Sequence, residues 1–239
     1  MYYLLNNELK QLKIGRDKFI DILRANHLLI VPKRSYHITT NSHHRFRKHQ
    51  NQLLDLQIQH PEQVWVSDIT YIGKRDKPCY LSLVTDAYSK KIVGFNVADN
   101  LNTESSLAAL KKALKQRKDA LLPLIHHSDR GLQYCANEYQ NLLKKSNIKC
   151  SMTQNSDPYE NAVAERINGI LKQEFGIDKF HNELSITKLL VKNAIEIYNQ
   201  KRPHYSNFLL TPNQMHQQNK IKMRTYKTKN SYKNVLATV

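Results

Sequence analysis

The chain has 239 residues and a formal net charge of +17, with 37 Lys or Arg against 20 Asp or Glu. This excess of positive charge indicates a polyanionic partner, and a hydrophobic content of 40% is enough for one core with smaller attachments. The 3 cysteines form no C-x-x-C pair, which argues against a disulfide framework or a cysteine-based zinc site. Because the sequence has neither a signal-peptide pattern nor an apolar stretch approaching about 18 residues, we expect a cytoplasmic protein without membrane spans.

The positive charge is concentrated at the two ends of the chain. Residues 1–60 hold 10 basic and 4 acidic side chains, residues 61–180 hold 17 and 14, and residues 181–239 hold 10 and 2. A nearly neutral centre is typical of a folded catalytic core, so the two ends are interpreted as basic arms.

The first predicted element is an amphipathic helix in residues 14–30. Phe19, Ile22 and Leu23 recur at helical spacing, and Asn26-His27 is a typical helix stop. The stretch from His43 to His49 is polar and basic without a period, which predicts a linker.

From Val64 onward the pattern changes to that of strands. Residues 64–72 are apolar on both faces, which predicts a central strand. Residues 80–85 and 92–97 flank a turn at 88–91, which predicts an antiparallel pair. A helix follows, capped by Asn102 or Thr103, with Leu107, Leu110 and Leu114 facing inward. The pattern then predicts a strand at 124–127, a helix at about 137–146 and a strand at 148–153. After a polar loop at 154–159, helices are predicted at about 160–175 and 186–199, and Pro203 ends the second of them. This order predicts an α/β fold, a mixed sheet covered by helices.

Three carboxylates stand in this pattern without a side-chain base among them. Asp68 lies inside an apolar strand, where an unpaired carboxylate is costly, and Asp129 follows a strand, where α/β sheets place ligand-binding groups. Glu165 lies on the helix at about 160–175. Singly, these residues could be a structural Asp, a strand cap and a solvated Glu. Together they predict a divalent-metal site, because hard oxygen ligands hold Mg²⁺ against phosphate.

The helix that carries Glu165 has two faces. Asn161, Glu165, Asn168 and Lys172 form a polar stripe. The opposite, apolar stripe consists of Val163, Ile167, Ile170 and Leu171. We therefore expect the helix to dock on the core, to present Glu165 outward and to place Lys172 near a phosphate.

Other acids and histidines are weaker candidates. Asp86 ends the second strand and is interpreted as a structural residue or a supporting one near the site. His127 shares the strand that precedes Asp129 and could orient a substrate or ligand. The linker histidines have no paired cysteines, so a zinc finger is not expected there.

Five motifs resemble those of insertion-sequence transposases with a retroviral-type integrase core. They are residues 65–71, 85–94, 127–134, 157–169 and 198–204, including Trp65-Val66-Ser67-Asp68, His127-Ser128-Asp129-Arg130-Gly131 and Asn161-Ala162-Val163-Ala164-Glu165-Arg166. The resemblance covers about residues 14–215. It is strongest to the group whose second reading frame encodes this core.

The resemblance implies a ribonuclease H-like fold and a DDE active site of Asp68, Asp129 and Glu165, with two Mg²⁺ or Mn²⁺ ions bridged by Asp68. It implies cleavage at the element's ends by water, attack of the freed 3′-hydroxyl on target DNA, and a homo-oligomer as the working form. Two alternatives stay open: an inactive or truncated DNA-binding remnant or regulator, and a ribonuclease H-like nuclease. The intact acids argue against the first, and the basic arms argue against the second.

The expected division of the chain follows from the same motifs. Residues 1–60 would be a partial helix-turn-helix region with a basic linker, 61–180 the catalytic core, 181–217 a C-terminal helix and the end of the core, and 218–239 a disordered basic tail. An upstream frame could supply the rest of the helix-turn-helix region as a partner protein, or the copy could be truncated. The expected DNA contacts are Arg130, Arg166 and Lys172 in the core, Arg45, Arg47 and Lys48 in the linker, and Lys220, Lys222 and Arg224 in the tail.

Deleting residues 218–239 should weaken DNA binding equally for all sequences, because the basic tail is expected to contact backbone phosphates only. The slope of log affinity against log salt should become shallower. Binding titrations at several salt concentrations, with specific and unrelated duplexes, measure both effects. An unchanged slope would mean that the tail only improves solubility.

Overall fold

The computed structural model describes residues 1–30, 49–54, 56–73, 78–154, 161–179 and 183–217. The chain divides into two compact units, Met1–His37 and Ile38–Val239. Most of the predicted linker and polar loop and all of the basic tail lie outside the described residues. No described helix is long and apolar enough to cross a membrane. The expected domain boundary at residue 60 stays a prediction.

The first unit contains two short helices, α1 (Asn6–Gln11) and α2 (Arg16–Ala25). The predicted stop at Asn26-His27 is confirmed, because the Asn26 amide donates to the Ile22 carbonyl at 2.8 Å and His27 has a φ of 54°. Phe19 is buried, whereas Ile22 is 37% exposed. The helix is therefore shorter than the predicted span of 14–30, and α1 was not predicted.

The second unit is built on a five-stranded mixed sheet of order β3-β2-β1-β4-β5. The strands are β1 (Val64–Gly73), β2 (Pro78–Asp86), β3 (Ile92–Ala98), β4 (Leu124–Ser128) and β5 (Ile148–Met152). β1, β2 and β3 pair antiparallel, and β4 and β5 join the other side of β1 in parallel. The prediction of β1 as a central strand and of an antiparallel β2–β3 pair is confirmed.

Helices cover both faces of this sheet. They are α3 (Thr103–Gln116), α4 (Leu132–Cys135), α5 (Asn137–Lys145), α6 (Ala162–Gln173), α7 (Leu184–Lys201) and α8 (Pro212–His216). On one face, α3, α4 and α5 pack around Trp65 and Leu110. On the other, α6 and α7 pack around Leu83 and Tyr198. The predicted α/β class is confirmed, and Asp68 shares the face of β1 on which α6 packs, because side chains alternate along a strand.

The short helices α4 and α8 were missed because one turn of helix is too short to show a period. α8 nevertheless has a sequence signal at its start. Thr211 accepts from the Gln214 backbone N–H, the Gln214 side chain accepts from the Thr211 N–H, and Pro212 occupies the first turn. This capping box specifies a helix start without any apolar pattern.

The packing of α3 on the sheet depends on a glycine. Leu110 is fully buried as predicted, while Leu107 and Leu114 are only partly buried. The centre of the contact is made by Ala109 and Ala113, which lie against Gly94 of β3. A Cβ at Gly94 would lie 2.2 Å from the Ala109 carbonyl oxygen and 2.8 Å from the Ala113 nitrogen. The helix can approach the strand this closely only because position 94 has no side chain.

Gly94→Ala should destabilise the fold by about 3 kcal/mol, because the added methyl group meets backbone atoms that cannot move independently. Gly169→Ala is the matched control, since a Cβ at Gly169 of α6 meets no atom within 4 Å and should stabilise the helix by about 0.5–1 kcal/mol. Urea denaturation of both variants measures the change. Equal midpoints for the two variants would contradict the close approach.

Candidate active site

Asp68 and Asp129 each directly follow a serine, and these two serines are paired in register between the parallel strands β1 and β4. Ser67 of β1 pairs with Ser128, the last residue of β4, so the next residue on each strand is an acid. β1 continues past this point, and Asp68 pairs with Leu83 of β2. Asp129 instead begins the loop after β4, where its Oδ1 accepts from the Gly131 N–H at 3.0 Å. The two acids are therefore adjacent at the carboxyl end of β4, the edge where α/β sheets bind ligands.

Helix α6 is held against these strands by two asparagine amides. The Asn168 Nδ2 donates to Asp68 Oδ2 at 2.6 Å, and the Asn161 Nδ2 donates to the Ser67 carbonyl at 3.2 Å. Glu165 lies between these positions on the predicted polar stripe and is exposed. Asn161 and Asn168 are instead buried, at 7% and 5% exposure. The stripe therefore faces β1 at both asparagines.

Asn168 is the site residue that sequence reasoning missed as a partner of Asp68. The polar stripe contained the signal, because Asn168 lies one turn after Glu165 on the same face of α6. No role was predicted for this amide, whereas in the structure it donates to the Asp68 carboxylate. The apolar stripe is confirmed, with Ile167, Ile170 and Leu171 buried.

The three acids are coupled electrostatically. Burial first, and then the negative charges of Asp129 and Glu165, raise the pKa of Asp68 to about 7 against the hydrogen bonds from Asn168 and the Ile69 N–H. Burial and the charge of Asp129 also raise the pKa of Glu165. The charge of Asp129 therefore makes both Asp68 and Glu165 harder to ionise, and the charge of Glu165 acts in the same direction on Asp68. A bound cation would relieve this repulsion.

The donor set fits a hard divalent cation in its chemistry. Carboxylate oxygens are the ligands that Mg²⁺ prefers, and a cation would offset the mutual repulsion of Asp68, Asp129 and Glu165. Within the described ranges, no three His, Cys, Asp or Glu side chains are already arranged to hold a metal ion. Ligation by these three acids therefore remains a proposal.

The histidines before Asp129 belong to the core. His126 Nε2 lies 2.7 Å from the Ser67 hydroxyl and 2.9 Å from the Tyr139 hydroxyl, and burial followed by the charge of His127 lowers the pKa of His126 to about 3. His127 Nδ1 lies 2.8 Å from the Ser151 hydroxyl. Both rings are fully buried, so they join β4 to its neighbours in the core.

The sequence left two interpretations of Asp86 open, and its contacts in the structure support the structural one. It is fully buried and accepts from the Glu62 N–H at 2.6 Å and from the N–H and hydroxyl of Ser89 at 2.8 and 2.7 Å. His216 of α8 lies 3.7 Å from its carboxylate. Burial acts to raise the pKa of Asp86, but His216 and Ser89 outweigh it and lower the pKa. Asp86 pairs with Trp65, which places it roughly 10 Å along the sheet from Asp68.

Three of the predicted DNA-contacting cations lie in the described part of the core, and two of them directly follow a site acid in the chain. Arg130 follows Asp129, Arg166 follows Glu165, and the Lys172 Nζ lies 4.5 Å from the centre of the Tyr71 ring on β1. The remaining six lie outside the described residues: Arg45, Arg47, Lys48, Lys220, Lys222 and Arg224. Two arginines of the core therefore lie directly beside Asp129 and Glu165 in sequence, and their contact with phosphate stays a prediction.

Matches to known families place this fold in the class of integrase catalytic cores. Residues 58–158 and 146–212 match two families that are both described as integrase core domain. A 31 kDa protein of insertion element IS600 from Shigella sonnei is 34% identical over 193 residues, which are 80% of this chain and 71% of that protein. The chain belongs to the integrase-core family of insertion-sequence transposases.

Other relatives are matched over a smaller part of their length. The transposase InsF for insertion sequence IS3fB from Escherichia coli K12 is 34% identical over 160 residues, 66% of this chain and 55% of that protein. The transposase for IS629 from Shigella sonnei is 32% identical over 142 residues, 59% of this chain and 47% of that protein. The chain thus spans about half the length of these two relatives.

Solved structures of retroviral integrases share the fold. The catalytic core of HTLV-2 integrase in complex with magnesium has a TM-score of 0.52 at 20% identity, covering 66% of this chain and 97% of that one. An integrase in the simian T-cell lymphotropic virus intasome has a TM-score of 0.57 at 18% identity, covering 81% and 67%. The predicted ribonuclease H-like fold is confirmed by these similarities.

Asp68→Asn should stabilise the metal-free protein at neutral pH. Because the pKa of Asp68 is about 7 in the folded chain instead of 3.8, the folded state binds its proton more tightly, and stability falls as pH rises from 4 to 7. One pKa unit corresponds to about 1.4 kcal/mol, so the loss amounts to a few kcal/mol. Denaturation of wild type and variant at pH 4 and pH 8, without divalent metal, measures it.

Asp86→Asn should change the stability in the opposite direction in the same denaturation measurement. The pKa of Asp86 is lowered, so its stabilisation is present at neutral pH and is lost only as pH falls through the lowered pKa. The variant should be less stable than wild type at pH 8. If both variants shift stability in the same direction at pH 8, the electrostatic distinction between the two acids is wrong.

Proposed function

We propose that this chain is the catalytic component of its transposase, which cleaves DNA at the ends of the element and joins the freed 3′-hydroxyl end to target DNA. Membership of the family makes DNA transposition the general function. The finer proposal is supported by one observation: at a single edge of the sheet, the charge of Asp129 raises the pKa of both Asp68 and Glu165, and the charge of Glu165 raises the pKa of Asp68. Repelling carboxylates at a ligand-binding edge suit cation-dependent phosphoryl transfer.

The proposed metal ligands are Asp68, Asp129 and Glu165, holding two Mg²⁺ or Mn²⁺ ions. The magnesium in the related HTLV-2 core supports the choice of metal. When bound, such ions would stabilise the charge on the attacking and leaving oxygens of an in-line displacement.

The chain's own residues have separate tasks in this proposal. Asn168 donates to Asp68 and thereby favours the ionised form of that carboxylate, since a hydrogen bond to the charged form lowers its pKa. Arg130, Arg166 and Lys172 bind backbone phosphates and hold the strand near the acids. Because His126 and His127 are buried in the core, neither ring is placed to take a proton from solvent at this edge.

The partners follow from the same reasoning. The proposed substrates are the two ends of the element and a target duplex, bound by a homo-oligomer. The solved HTLV-2 cores occur in trimeric and dimeric forms, which supports self-association. The helix-turn-helix partner from an upstream frame stays a prediction from sequence.

Asp129→Asn should reduce strand cleavage by orders of magnitude while leaving DNA affinity equal to or slightly above that of wild type. The substitution keeps the shape of the side chain but removes one hard ligand and one negative charge that repels phosphate. The measurement is nicking of a supercoiled plasmid that carries the element's ends, in Mg²⁺, with parallel binding titrations. Asp99→Asn, at an exposed position after β3, is the control and should nick at the wild-type rate.

Two outcomes would contradict the proposal. If Asp129→Asn nicks as fast as wild type, Asp129 is not part of the active site. If the wild type cleaves an RNA–DNA hybrid in preference to the plasmid, the ribonuclease H-like alternative is correct.

A further inference from the structure

The end of α7 carries the motif of residues 198–204, which the proposed chemistry does not use. The Tyr198 hydroxyl donates to the Lys90 carbonyl at 2.8 Å. The Asn199 side chain accepts from the Ile92 N–H and donates to the Ile92 carbonyl, both at 3.0 Å. These bonds join the end of α7 to the turn after β2 and to the first residue of β3. They therefore fix the position of α7 on the sheet.

Arg202, directly after α7, makes an ion pair with Glu174 at the end of α6. Its Nε and Nη2 donate to the two carboxylate oxygens of Glu174, each at 2.6 Å, and its Nη1 donates to the Pro203 carbonyl at 3.2 Å. The two ionic side chains are 20% and 23% exposed. A two-point contact between a guanidinium and a carboxylate fixes orientation as well as distance.

Glu174 is the residue at which α6 ends, and its N–H still bonds to the Ile170 carbonyl. An acid is disfavoured at the end of a helix, where the carbonyl groups carry partial negative charge. The Arg202 guanidinium offsets this. Helix α6 is thus attached at three places along its length: Asn161 to β1, Asn168 to Asp68, and Glu174 to Arg202.

The last of these attachments bears on the acids. Glu165 and Asn168 lie on α6, so any rotation or sliding of the helix moves both relative to Asp68. A displacement of about 1 Å in a catalytic group can cost on the order of 100-fold in rate. The ion pair joins the helix end to α7, whose own position is set by Tyr198 and Asn199.

We propose that Arg202 is a positioning residue of the active site: it acts through Glu174 on α6 and thereby on Glu165 and Asn168, and it does not bind DNA. The inference rests on the proposed function for the chemistry that it supports. Its guanidinium is a poor phosphate ligand, because Glu174 occupies two of its donor positions and neutralises its charge. This separates Arg202 from Arg166, which is exposed on α6.

The test uses the full chain and five proteins: wild type, Arg202→Gln, Glu174→Gln, the reversed pair Arg202→Glu with Glu174→Arg, and Lys201→Gln. Lys201 is an exposed neighbour at the end of α7, so its variant removes the same charge without the ion pair. The readouts are single-turnover nicking, affinity for the same DNA, and hydrogen exchange of the α6 amides. The exchange readout requires no activity.

Arg202→Gln and Glu174→Gln should each slow nicking by roughly 10- to 100-fold, with DNA affinity within about twofold of wild type and faster exchange in α6. The reversed pair should recover most of both properties, because an arginine at the helix end suits the helix dipole. Lys201→Gln should match wild type throughout.

Three results would overturn the inference. A loss of DNA affinity in Arg202→Gln that the reversed pair does not restore would make Arg202 a DNA contact. Unchanged nicking and unchanged α6 exchange in Arg202→Gln would mean that the ion pair does not position α6. Equal effects in Lys201→Gln would reduce the result to net charge. If wild type itself does not nick, the proposed function fails, and the exchange comparison still decides the role of Arg202.

Discussion

The hydrogen bond from Asn168 to Asp68 is the contact on which the arrangement of the acids depends. It joins the central strand to the helix that carries Glu165, across 100 positions of sequence. It also opposes the burial and the neighbouring charges that raise the pKa of Asp68. Because one amide both orients the carboxylate and favours its ionised form, the geometry and the protonation state of the site are linked.

The three acids of the site are held by three different elements of the fold. β1 lies in the middle of the sheet, so the backbone of Asp68 is fixed by pairing with β2, and its side chain is only partly exposed. Asp129 follows the last residue of β4 and takes part in a turn with Gly131. One acid is therefore held by the sheet and the other by a loop, and α6 brings the third. A site made from three separate elements depends on the attachments between those elements.

Most of the fold could be predicted from sequence because its signals are local. The run from Val64 to Ile72 is apolar on both faces, and α6 has one apolar stripe, so the central strand and the docked helix were predicted correctly. The acids Asp68 and Asp129 were noticeable because each breaks or follows an apolar run. Their roles in metal binding are proposals that rest on the site's chemistry and on family resemblance.

What could not be predicted depends on partners that are distant in sequence. Asn168 lies on a polar stripe, and hydrophobic periodicity assigns such residues to solvent, since it has no information about a carboxylate across the interface. The enclosure of His127 follows from the pairing of β4 with β5, which places Ser151 opposite it. The structural role of Asp86 depends in part on His216, which lies beyond residues 198–204, the last of the resembling motifs.

The buried contact that α8 makes through His216 limits how far the chain can be shortened. His216 is 4% exposed and lies between Glu62 and Asp86, which are 5% and 0% exposed. A version that ended after α7 would remove the imidazole that lies between these two buried carboxylates, and losing a buried polar partner costs about 1–3 kcal/mol. A shortened catalytic core should therefore extend past His216 to keep this contact, even though Asp68, Asp129 and Glu165 all lie on earlier elements.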